Sequence, residues 1–72
     1  MTRDEIIRMI EDMLDVESGS LTEQTLLADI EEYDSMAKLS LIVMSDDEFD
    51  KKLTGEQILK FVTIQDIVDF LS

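Results

Sequence analysis

The chain reads as a small all-α protein: a bundle of three main helices and one short one, with a long loop between the first and second helices. Three observations predict it. Apolar residues recur at helical spacing in separate segments, Ser, Thr and Asp stand where those segments begin, and 72 residues without Pro or Cys allow a single domain, 1–72, around one modest core. A domain of this size buries only roughly 60% of the surface its unfolded chain exposes, so marginal stability is expected.

The first segment, 2–14, places Ile6, Ile7, Ile10, Met13 and Leu14 on one stripe with charges on the other face. Thr2 and Glu5 have capping-box spacing. From Asp15 to Asp34 the helical period is lost. Ser18-Gly19-Ser20 signals a turn, and Leu21, Leu26, Leu27 and Ile30 are expected to tuck against the bundle, with a short helical turn within 23–30. Loops of this length in compact domains are often functional.

The second helix is expected over 35–49, capped by Asp34. Its apolar residues, Met36, Leu39, Leu41, Ile42, Val43, Met44 and Phe49, form a band wider than one contact requires. Asp46, Asp47, Glu48 and Asp50 follow, an unfavourable placement at the negative end of a helix dipole that calls for an external reason. Thr54 and Gln57 mark a short third helix running through Phe61. Thr63, with Asp66 at the reciprocal position, opens the fourth, whose buried stripe is Ile64, Ile67, Val68 and Leu71.

Composition narrows the function. Eighteen Asp and Glu against six Lys and Arg give a net charge of −12, which repels nucleic acid and anionic membranes. It favours basic protein partners, or else serves only solubility. With no His and no Cys the commonest general base, metal ligands and thiol nucleophile are all missing, so a self-sufficient enzyme is not expected and any reactive thiol must arrive on a cofactor. The longest apolar run, 41–44, is far short of a membrane span, and the start of the chain has no signal-peptide stretch. A cytoplasmic monomer is the expectation.

One segment suggests chemistry: Glu31-Glu32-Tyr33-Asp34-Ser35-Met36. Ser35 has no base to make it a nucleophile, but at a helix start its hydroxyl suits attachment of a phosphate-linked group, since free amides and the dipole end tolerate a phosphodiester. The bland alternative is that Asp34 and Ser35 form only an N-cap pair. A calcium loop starting at Asp46 fails, because Lys51 and Gln57 occupy the positions that demand Gly and a bidentate Glu. A carboxylate-pair hydrolase would need a pocket that this chain can hardly enclose.

Asp34-Ser35-Met36 resembles the Asp-Ser-Leu signature of acyl and peptidyl carrier proteins, with Met for Leu. The likeness extends through the acidic stretch 29–35, the second helix from Leu39 to Phe49, and Thr63-Ile64 with Ile67-Val68, and so covers nearly the whole chain. It implies a covalent 4'-phosphopantetheine on Ser35, transferred from coenzyme A by a phosphopantetheinyl transferase, and no catalysis by the protein itself. It further implies acyl or aminoacyl cargo held as a thioester, loaded by a ligase or synthetase and delivered to downstream transferases or synthases. Asp34 would help position the transferase's metal. Met36 and Leu39 would be apolar partner contacts, Leu39 being equally suited to the core, and Asp46, Asp47 and Asp50 would meet basic partner surfaces unless they are simply a solvated face.

The sequence also departs from the family pattern. Glu32-Tyr33 precede Asp34 where fatty-acid carriers have Gly-Ala, Ser40 replaces a mid-helix acid, and Lys38 adds a cation. A specialised biosynthetic carrier is therefore expected rather than the fatty-acid housekeeping one. Ser45 stands where the family has a large apolar residue; either its hydroxyl bonds back to the Leu41 carbonyl or the core is underfilled there. The rival reading of the whole chain is an acidic helical interaction module that bears no prosthetic group.

Overall fold

The computed structural model describes residues 2–72, and within them the chain forms α1 (Arg3–Leu14), a 3₁₀ turn (Leu27–Asp29), α2 (Ser35–Phe49), α3 (Gly55–Lys60) and α4 (Ile64–Leu71). This is the small all-α bundle that the sequence predicts. The third helix stops one residue short of Phe61, which serves as its C-cap.

Each helix begins where side-chain chemistry can satisfy its orphan amides. Thr2 with Glu5, Thr54 with Gln57 and Thr63 with Asp66 all close capping boxes, and Asp34 caps α2. Two helices end on an aspartate rather than a glycine. Asp15 (φ 58°) and Asp50 (φ 52°) both adopt the left-handed conformation, which Asp tolerates better than most side chains. After α1, the Val16 amide returns to the Glu11 carbonyl and the Asp15 amide to that of Asp12, the paired bonds of a Schellman motif.

The helix α1 packs against both α2 and α4. Ile6, Ile10, Leu14, Leu41, Ile64, Ile67, Val68 and Leu71 are buried in one core, which Leu53 and Ile58 join. From the connection 15–34, Leu21, Leu27 and Ile30 join this core as expected, but Leu26 remains 44% exposed. Its backbone explains why: Leu26 pairs with Thr63 in an isolated antiparallel bridge. The Leu27 amide donates to the Val62 carbonyl at 2.9 Å, and the Ile64 and Gln65 amides donate to Thr25 and Glu23 carbonyls at 3.0 Å. Pairing the strand-like backbone here takes priority over burying the side chain.

The loop is tethered at its other end by a residue that the helical wheel assigns to the charged face. Glu11 is only 3% exposed, and its Oε2 accepts hydrogen bonds from the Gly19 and Leu21 amides at 2.9 and 3.0 Å. A carboxylate buried against two donors satisfies amides that the Ser18-Gly19-Ser20 turn would otherwise leave open. Arg3 adds a third tether, pairing with Glu23 of the loop and with Asp69 of α4 at 2.7 Å.

Removing the Glu11 carboxylate orphans both amides. Glu11→Ala is expected to cost about 2–4 kcal/mol, lowering Tm by on the order of 10 °C or more in thermal unfolding followed by circular dichroism. Glu11→Gln, which keeps one acceptor, is expected to lose less. A Tm unchanged by Glu11→Ala would contradict the tether.

Asp66 supplies a pH test. Its Oδ2 accepts from the Val62 and Thr63 amides at 2.8 and 3.2 Å, and these bonds hold its carboxyl below the usual value. A depressed folded-state pKa contributes stability that is present above the unfolded value and lost as pH falls through the folded one. Comparing Tm of the parent with Asp66→Asn should therefore show a gap at neutral pH that narrows as the pH falls below about 4. A gap of unchanged size from neutral pH down to about pH 2 would refute the assignment.

Candidate functional site

The site is built at the junction of loop and helix. The loop reaches α2 through two tight turns, with the Ile30 amide bonded to the Leu27 carbonyl and the Tyr33 amide to that of Ile30. Asp34 then leaves in extended conformation, and its Oδ1 accepts from the Ala37 amide at 2.9 Å, a standard N-cap bond. The first helical bond runs from the Lys38 amide to the Asp34 carbonyl. Ser35 is consequently the first residue of α2, and it is exposed, as is Asp34.

The inner face of α2 is narrow. Ala37, Leu41 and Ser45 are its buried residues, one per turn at i, i+4, i+8, and only Leu41 among them is large. Ile42, Met44 and Phe49 lie half-buried at the margins. The remaining apolar residues face outward: Met36 is 72%, Leu39 59% and Val43 58% exposed. Leu39, which the sequence suits equally to core or surface, is thus on the surface. Together with Ser40, Met44, Asp47 and Glu48 these side chains line a shallow depression along the outer face of α2, beginning one residue from Ser35.

The expected partner-contact residues separate accordingly. Met36, Leu39 and Asp47 share that depression. Asp46 and Asp50 are exposed but lie outside its lining. Val43 and Glu48, which the sequence reading did not single out for this role, belong to it. Val43, four residues after Leu39, had the spacing of a shared face, but α2 carries apolar residues on two faces and this masked it; Glu48, nine residues after Leu39, had no such signal.

Ser45 is fully buried. Its Oγ donates to the Lys51 carbonyl at 2.7 Å, not to that of Leu41. The Asp50 and Lys51 amides both return to the Ser45 carbonyl. The Lys51 ammonium then donates to the Phe70 and Ser72 carbonyls at 2.9 Å, capping the negative end of α4. A small polar residue in the core therefore ties the end of α2 to the end of α4.

Tyr33 flanks the site on the loop side. It packs half-buried against the core, and its hydroxyl is buried without a hydrogen-bond partner among the described residues. Burial pushes its phenol above the ordinary value. The Lys38 ammonium lies 5.7 Å from the ring centroid, within cation–π range.

No family model matches the chain. Among the described residues, no helix is long and apolar enough to cross a membrane.

The N-cap assignment at the site has a direct check. Asp34→Ala is expected to cost about 1 kcal/mol and to speed hydrogen exchange of the Ala37 amide, while Asp34→Asn retains most of both. An unchanged Ala37 exchange rate in Asp34→Ala would show that the cap contributes nothing.

Proposed function

We propose that this protein is a carrier: Ser35 bears a 4'-phosphopantetheine arm that holds acyl or aminoacyl groups and presents them to partner enzymes in a specialised biosynthetic pathway. The single observation that carries the reading is an exposed serine at the first position of α2, capped by Asp34 and continuous with an exposed apolar stripe. A residue that served only as part of a helix cap would not require that stripe beside it.

The residues at the site fit a phosphodiester-linked group. The amides of Ser35 and Met36 precede the first intrahelical bond and remain free to donate, and the positive end of the α2 dipole lies there. When attached, the arm supplies a thiol and hence thioester chemistry, which a chain without Cys or His lacks. The protein's own contribution is placement. Asp34 fixes where α2 starts, the tethered loop holds that start against the bundle, and Ser35 is exposed there.

Partners in this reading are a phosphopantetheinyl transferase, a loading ligase or synthetase, and downstream transferases or synthases. Met36, Leu39 and Val43 give them an apolar contact, and Asp47 and Glu48 at its border steer basic surfaces toward it. A mobile tether with weak, charge-guided docking suits a cytoplasmic monomer that must visit several enzymes and leave each one.

Incubation with coenzyme A, magnesium and a broad-specificity phosphopantetheinyl transferase is expected to add one phosphopantetheine mass to the chain and none to Ser35→Ala, read by intact-protein mass spectrometry. An unmodified chain, or equal modification of Ser35→Ala, would favour an acidic interaction module without a prosthetic group.

A further inference from the structure

We propose that Lys38, steadied on the ring of Tyr33, is the counter-ion for the phosphodiester on Ser35, an inference that rests on the carrier reading above. Lys38 is the only cation between Arg8 and Lys51, in a stretch crowded with carboxylates. Among the described residues the ion pairs are those of Arg3, so the Lys38 ammonium is not spent on any neighbouring acid. It lies instead over the Tyr33 ring.

The position of that ring indicates which way the lysine leans. Tyr33 stands two residues before α2 begins, whereas Lys38 is the fourth residue of the helix. Reaching the ring requires the side chain to run back past the start of α2, the direction in which helical side chains tilt. Ser35 and Lys38 are three apart and therefore neighbours on one face. The ammonium is drawn toward the mouth of the helix, where the Tyr33 ring lies 5.7 Å away.

Electrostatics gives the arrangement a purpose. An arm on Ser35 adds a phosphodiester charge next to Glu31, Glu32 and Asp34, all exposed, in a protein already at −12. One cation held close offsets the added repulsion. Stacking on Tyr33 limits the rotamers that the lysine must surrender when it pairs, without tying it to a competing carboxylate.

The test is lysine footprinting with acetic anhydride on the full chain before and after arm attachment. Lys38 acetylation is expected to fall roughly two- to five-fold in the arm-bearing protein, measured by peptide mass spectrometry against the exposed Lys52 and Lys60. The protection should vanish near 1 M salt. In arm-bearing Lys38→Gln the ³¹P resonance of the phosphodiester should move from its parent position.

Equal Lys38 reactivity with the arm in place overturns the counter-ion while leaving the carrier intact. So does protection that survives 1 M salt, which would mean coverage by the arm rather than charge pairing. A Lys38→Gln variant with slowed arm attachment but an unmoved ³¹P resonance makes Lys38 a transferase contact instead. A chain that never accepts the arm removes the carrier reading and this inference together.

Discussion

The structure depends on how the connection between α1 and α2 is held. A segment with no regular helix of its own has to lie on the bundle with its polar backbone satisfied, and it has to deliver residue 34 to one place. Glu11 binds its first turn, the pairing with residues 62–65 binds its middle, and Leu27 and Ile30 anchor its last part in the core. Only then does α2 start at a fixed point. Ser35 has defined surroundings because the loop before it is held at three places, two by hydrogen bonds and one by core packing.

Around that constraint, polar groups do work that a domain of this size cannot leave to its aliphatic core alone. Glu11, Ser45 and Lys51 each satisfy main-chain groups at a junction: a loop start, the end of α2 and the end of α4. Ser45 shows the logic best. A leucine there would add apolar contact but would leave the Lys51 carbonyl without its donor, loosening the turn that aims the Lys51 ammonium at α4.

The second helix separates two demands on one element. Its inner face is reduced to Ala37, Leu41 and Ser45, and its larger apolar residues are displaced outward near Ser35. Exposed apolar area costs solubility, and the surrounding carboxylates offset that cost. In the carrier reading the same residues form the docking face, so the acids at the unfavourable end of the α2 dipole acquire the external purpose that helix electrostatics alone does not provide.

Much of this was legible in the sequence. The helix starts follow from capping residues whose hydrogen bonds reach only three positions along the chain, and the stripes of α1 and α4 follow from helical periodicity; Asp34, Ser35 and the all-α fold are local signals of this kind. What tertiary structure decided is where distant residues meet. Glu11 is charged and lies off the apolar stripe, yet it is buried because loop amides eight and ten residues later close over it. Leu26 is apolar, yet it is exposed because its backbone pairs with Thr63. The helix α2 carries apolar residues on two faces, with the larger ones outward, and only the packing of α1 selects which face is buried. Local propensity acts within a turn of helix, whereas burial depends on neighbours that the chain brings together only after folding.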